Sequence, residues 1–166
     1  MTEAARPAVS EEMDQLAELV ARGQTELTGR RGGPLWAQRE AAHPLDAAAL
    51  SVLVTDPDAL LLVGTFDDVV VGYGIVQLER LRDGTTLAVI DGLYVEPAAR
   101  GVGVGEAVMD AVVAWSESKG CRGIDGFALP GDRETKNFFE RFGLTARAIL
   151  VHRSLLPVEE ASGAEA

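Results

Sequence analysis

The sequence predicts an α/β (α+β) fold, a single domain in which a largely antiparallel sheet carries its helices. Three observations point there. Apolar, β-branched runs of strand length alternate with segments whose apolar residues recur at helical spacing. Two such runs, Leu60 to Thr65 and Val69 to Glu79, are separated only by Phe66-Asp67-Asp68, as in an antiparallel hairpin. A third run, Thr86 to Val95, leads through Arg100-x-x-Gly103-x-Gly105 into the clearest helix of the chain. The length of 166 residues suits one domain that buries roughly 70% of the surface exposed by its unfolded form.

In chain order, a short strand around Ala5 to Val9 precedes a helix opened by Ser10 as cap and by Glu11, Glu12 and Asp14 in its first turn. Met13, Leu16, Ala17 and Val20 share one face of it. Between Gly23 and His43 the pattern breaks at Gly29, Gly32, Gly33 and Pro34, which predicts a loop and a short second helix. Pro44-Leu45-Asp46 opens a further helix to about Val54, stopped by Asp56-Pro57. The hairpin follows, then a turn at Arg82-Asp83-Gly84-Thr85 and the strand Thr86 to Val95. In the next helix Val104, Ala107, Val108, Ala111, Val112 and Trp115 form one stripe, and Lys119-Gly120 ends it. A strand over Gly123 to Leu129 is broken by Pro130-Gly131. A short helix from about Arg133 places Thr135, Phe138, Phe139 and Phe142 on one face and stops at Gly143, and a last strand covers roughly Ala146 to Ser154. Residues 1–156 thus form one domain, and the acidic stretch 157–166 is expected to be a disordered tail.

The net charge of −11, with an isoelectric point near 4.6, disfavours nucleic acid or an anionic membrane as partner, because either needs a basic face. It suits a cationic acceptor such as an amine, or serves solubility alone. Cys121 is the only cysteine, so no intramolecular disulfide or paired-cysteine zinc site forms, and a small buried hydrophobe at a strand start is its expected role. No metal is expected. The first residues lack the apolar core of a signal peptide, and no run approaches the roughly 18 apolar residues of a membrane helix. The expectation is a cytoplasmic protein, monomer or homodimer.

Gly101, Gly103 and Gly105 alternate at a strand-to-helix turn. They leave backbone N–H groups uncovered beside the positive end of the helix dipole, which suits phosphate; the alternative is a tight turn with close strand–helix packing. A dinucleotide turn, Gly-x-Gly-x-x-Gly, fails on spacing: counted from Gly101 its last position is Glu106, and from Gly103 it is Val108. The segment resembles the acetyl-CoA-binding motif of the GNAT N-acetyltransferase superfamily, Gln/Arg-x-x-Gly-x-Gly/Ala after a central strand, with Arg100, Gly103 and Gly105 in the three signature positions. The order of elements is similar to that family's over essentially the whole chain. The resemblance implies the GNAT fold, a mixed, mostly antiparallel central sheet of six to seven strands flanked by about four helices, with two central strands splayed. It also implies acetyl-CoA as co-substrate. Leu93, Tyr94 and Val95 would then contact pantetheine, and Arg100, Gly101, Val102, Gly103, Val104, Gly105 and Glu106 would surround the pyrophosphate, mainly through backbone N–H groups. Gly92 and Gly126, inside the two strands that flank the long helix, fit a bulge or the close approach of a ligand, or else merely relieve crowding.

Amide formation from a thioester needs a neutral amine, and an alkyl ammonium has a pKa near 10.4, so a base or water chain must remove a proton. Asp91 is the candidate. It lies nine residues before Arg100, where similar diamine-type proteins carry an acid, although here Asp replaces Glu and Gly92 replaces the acid that follows. A shorter carboxylate works through an ordered water; the alternative is a capped or solvent-facing strand acid. Phe138 to Leu144 matches the family's Phe-Tyr-Glu-Lys-Leu-Gly-Phe segment, but Phe139 stands where the family usually has a tyrosine general acid, and Asp132 stands where an Asn contacts CoA. Phe139 therefore reads as packing. Trp36, Arg39 and Glu40 fall where the family builds its acceptor wall, or are ordinary packing and solvated charge. His152 is read as a strand histidine, and His43 suggests no role. The function implied is transfer of acetyl from acetyl-CoA to a primary amine of a small molecule or protein terminus. The rival reading is an acyl-CoA-binding module with little turnover.

Overall fold

The computed structural model describes residues 1–43 and 45–157. Its elements are β1 (Glu3–Pro7), α1 (Met13–Thr28), α2 (Gly33–Arg39), α3 (Ala47–Thr55), β2 (Ala59–Phe66), β3 (Val69–Arg80), β4 (Thr86–Val95), α4 (Val104–Ser118), β5 (Gly123–Asp125) and α5 (Arg133–Arg141). The five strands lie in the order β1-β2-β3-β4-β5. All neighbours are antiparallel except β4 and β5, which are parallel. The mixed α/β (α+β) class is as expected.

The chain divides into two compact units. The first comprises Met1–Gly23 and Ala42–Gly126, and the second Gln24–Ala41 and Phe127–Ala166. The first unit holds the sheet and two apolar layers. On one face Met13, Leu16, Leu19 and Val20 of α1 pack with Leu50, Leu61, Val63, Tyr73 and Ile75. On the other, α4 contributes buried Val104, Val108 and Val112 from the predicted stripe, together with Met109, which that stripe did not include, while Ala107, Ala111 and Trp115 are half-buried. β2 and β3 are joined by Asp67 and Asp68, both in the left-handed region at φ 47 and 66, the conformation of a tight hairpin turn that Asp tolerates.

Gly64 and Gly74 set how closely α4 approaches the sheet. A Cβ on Gly64 would stand 2.7 Å from Val104 Cγ1 and 3.0 Å from Val108 Cγ2, and one on Gly74 would stand 2.7 Å from Val108 Cγ1. Since Val104 is the first residue of α4, these contacts also place the helix N-terminus. Gly64→Ala is expected to cost about 1–3 kcal/mol through overpacking and to push the first turn of α4 away from the sheet. A chemical-denaturation midpoint equal to the parent's would refute this.

Several sequence expectations are corrected. The first strand is Glu3–Pro7 rather than Ala5 to Val9. Ser10 is not the cap: it lies inside a short 3-10 turn, and the Glu12 carboxylate accepts the Val9 N–H at 2.9 Å while pairing with Arg6. Gly23 does not end α1, which runs on to Thr28. It is a packing glycine, because a Cβ there would meet the Tyr73 hydroxyl at 2.5 Å. Helix α3 opens at Ala47, with the Asp46 carboxylate accepting the Ala49 N–H at 2.9 Å; Pro44 lies outside the described residues. β5 stops at Asp125 rather than Leu129. The predicted last strand, 146–154, has no ladder partner among the described residues, and its Ile149, Leu150 and Val151 are exposed. Local β-propensity is expressed only where a partner strand and a covering layer exist, so the expected six to seven strands are five among the described residues. The expected tail, except Pro157, falls outside those residues. Cys121 is half-buried, and burial pushes its thiol up from the ordinary value, which leaves it a poor nucleophile.

Candidate active site

The turn from β4 into α4 lies wholly in the first unit. Gly101 and Gly103 have φ of 80 and 92, a region that favours glycine. Gly103 is the helix N-cap and has no side chain to bond the first turn. The Ala107 N–H makes the first bond of α4, to Gly103 O at 2.9 Å. The N–H groups of Val104, Gly105 and Glu106 therefore stand ahead of the ladder, at the positive end of the helix dipole. A Cβ on Gly101 would meet nothing within 4 Å, so this side of the turn is open. The Arg100 Nε–H donates to Val95 O at 2.9 Å, and the guanidinium lies 5.5 Å from the Tyr94 ring centroid. Arg100 thus ties the turn back to the end of β4. Near that end Arg22 also pairs with Glu96.

The ladder between β4 and β5 runs from Leu87↔Gly123 to Val89↔Asp125 and ends there. β4 continues to Val95, paired with β3 on one edge only among the described residues. The two strands therefore part just before Asp91, and Leu93, Tyr94 and Val95 lie beyond the end of the β4–β5 ladder. At the same place the β3–β4 register slips: Ile75 faces Gly92 and Val76 faces Ile90, so Asp91 is the extra residue of a β-bulge. The bulge turns the half-buried Asp91 carboxylate toward β3, where Gln77 Nε2–H donates to its Oδ2 at 2.7 Å. Burial holds this carboxyl above its ordinary value, the Gln77 hydrogen bond pulls it back down, and the charge of Glu79 pushes it up again. One continuous stretch of chain thus runs from the half-buried Asp91 carboxylate, along the part of β4 beyond the β4–β5 ladder, to the start of α4.

Residues 23–144 match the acetyltransferase (GNAT) family. The chain belongs to that family. A curated relative, the aminoglycoside N(6')-acetyltransferase type 1 of Stenotrophomonas maltophilia, is 33% identical over 87 residues, 50% of this chain and 56% of the relative. The match thus spans little more than half of that relative's length. Among solved structures, a Bacillus halodurans protein determined as a tetramutant superposes with a TM-score of 0.77 at 17% identity, covering 91% of this chain and 99% of the other. AAC(6')-Iy, determined in complex with the bisubstrate analogue CoA-S-monomethyl-acetylneamine, superposes with a TM-score of 0.72 at 14% identity, covering 94% and 100%. At these identities the structural likeness is one of fold.

Gly126 lies past the end of β5 rather than inside a strand, and the remaining residues singled out from the GNAT resemblance lie in the second unit. Trp36 is buried in α2, while Arg39 is exposed and forms a 3.5 Å ion pair with its neighbour Glu40. Phe139 is buried in α5, 5.9 Å from Phe138 between ring centroids, which is a packing position. Asp132 caps α5, accepting the Thr135 N–H at 3.2 Å and the Thr135 hydroxyl at 2.8 Å, so both its oxygens are engaged locally. His152 is exposed and not in a strand, contrary to the sequence reading. Among the described residues no group of three or more His, Cys, Asp and Glu is placed to hold a metal ion, and no helix is long and apolar enough to cross a membrane.

Gln77 was not foreseen. Its signal was a polar side chain two residues beyond Ile75 and four beyond Tyr73, on the inward-facing alternation of an apolar strand.

Proposed function

We propose that this chain transfers the acetyl group of acetyl-CoA to a primary amine by direct attack, with no covalent enzyme intermediate. The observation that carries this reading is the half-buried Asp91 at the β4 bulge, where the β4–β5 ladder ends. Pantetheine adds along Leu93, Tyr94 and Val95 as an extra strand. The pyrophosphate meets the N–H groups of Gly101 to Glu106, and Arg100 holds the turn in place. The thioester then lies toward the Asp91 end of the edge. Asp91 accepts a proton from the substrate ammonium, directly or through one water, and the neutral nitrogen attacks the carbonyl carbon. The C–N bond forms, the C–S bond breaks, and the CoA thiolate takes the second amine proton. A thiol of this kind has a reference pKa near 8.5, so it leaves without the tyrosine acid that Phe139 replaces.

The raised pKa of Asp91 supports the role, because it narrows the gap to the amine. The net charge of −11 and the aminoglycoside-acetylating relative support a small polycationic amine over a protein terminus, acted on in the cytoplasm. Buried Phe139 favours one rival, an acyl-CoA-binding module. Thiol release from acetyl-CoA with a panel of aminoglycosides, linear polyamines and a peptide N-terminus separates the two. Turnover with a polycationic amine is expected. Tight acetyl-CoA binding with no thiol release for any amine would establish the rival.

A further inference from the structure

We propose that Gln77 is a positioning residue for Asp91, holding one carboxylate oxygen in a fixed place so that the other faces the amine. The inference rests on the reading of Asp91 as proton acceptor. Gln77 faces Val89 across the β3–β4 ladder, and Asp91 lies two residues further along β4, the diagonal position that only a long side chain reaches. The 2.7 Å bond from Nε2 to Oδ2 is the one hydrogen bond of the Asp91 side chain among the described residues, so Oδ1 is left to take a proton. The donor is also of the right chemistry. A lysine or arginine here would form an ion pair and quench the basicity, whereas a neutral amide orients the carboxylate and stabilises its ionised form without adding charge.

The register places the other ionisable groups of this sheet face. They are Arg6 on β1, which pairs with Glu12, Glu79 on β3, Asp125 on β5, and the phenols of Tyr73 and Tyr94. The charge of Glu79 works against ionisation of Asp91, and Arg22 of α1 is engaged with Glu18 and Glu96. Gln77 is therefore the group on this face that favours the ionised form of Asp91. Without its donor, burial and the charge of Glu79 raise the carboxyl unopposed, and the carboxylate swings free.

The test uses Gln77→Met, which keeps length and volume but removes the donor, and Gln77→Glu, which keeps the shape but adds a like charge. Side-chain carboxyl NMR titration reads Asp91 directly, its resonance being assigned by its loss in Asp91→Asn. Gln77→Met is expected to make Asp91 about a tenfold weaker acid, as for a lost hydrogen bond to a charged group, and Gln77→Glu to weaken it further. With the best amine of the panel, the acid limb of the kcat/KM profile should move up by the same step, and the loss should vanish at high pH. In the Asp91→Asn background, Gln77→Met should change turnover little, because the two residues act as one unit. A folded Gln77→Met with an unmoved Asp91 titration and an unmoved acid limb overturns the role of Gln77 while leaving that of Asp91 intact. Full activity of Asp91→Asn at pH 7 instead removes the base, and the role of Gln77 with it.

Discussion

Acetyl-CoA is expected to raise the melting temperature of this protein by about 5 to 10 °C when present at about 100 times its dissociation constant. Linkage gives roughly 2.7 kcal/mol at that ratio, and each kcal/mol is worth about 2–4 °C for a domain of this length. The effect depends on the geometry of the turn. Gly103 is both the N-cap of α4 and a residue at φ 92, so Gly103→Val strains the backbone and covers the N–H groups at once. The shift given by acetyl-CoA, measured against each variant's own melting point, should then nearly disappear. Val102→Asp is a gentler probe. Val102 is exposed in the same turn, so a carboxylate there leaves the fold in place and repels phosphate, and it should shrink the shift most at low salt. An unchanged melting point with millimolar acetyl-CoA would be incompatible with the cradle. A full shift in both variants would place the ligand elsewhere.

How legible this architecture is in the sequence depends on the range of the forces involved. The strand Thr86 to Val95 and the helix with its Val104, Val108 and Val112 stripe were readable because periodicity and a glycine stop are local signals. So was the turn itself, three alternate glycines ahead of a helix start. Gly23 was misread as a breaker because its reason lies fifty residues away, in the ring of Tyr73. Residues 146–154 carry strand propensity as strong as that of β2, but a strand also needs a neighbour's backbone groups, and no local pattern reveals whether they are there. Asp91 was located by its distance from Arg100, yet the bulge that turns it and the Gln77 that holds it come from the β3–β4 register. A one-residue slip in register sets that geometry, and no count along β4 alone reveals it.

Asp91→Asn is expected to lower turnover about 10²- to 10⁴-fold near neutral pH, the range for loss of a positioned general base, with acetyl-CoA affinity nearly unchanged. The same substitution should make the protein more stable at pH 7. The folded-state pKa of Asp91 is raised, first by burial, so the native chain holds this proton more tightly than the unfolded chain does. The stability it contributes is fully present below the unfolded value, about 3.9, and is lost as the pH rises through the folded value. At neutral pH the ionised carboxylate is therefore a cost to the fold. Asparagine removes the charge, keeps the shape and still accepts from Gln77 Nε2. Thermal melts from pH 4 to 8 should show the variant's advantage opening as the pH rises. Activity should follow a different course. The neutral fraction of the amine grows about tenfold per pH unit below its pKa near 10.4, so Asp91→Asn recovers with pH more steeply than the parent does. Such a variant, more stable and yet slower, is the signature of a charge retained for chemistry. If turnover at pH 7 were unchanged, or if the variant melted lower at pH 7 than the parent, Asp91 would be a structural residue of the bulge.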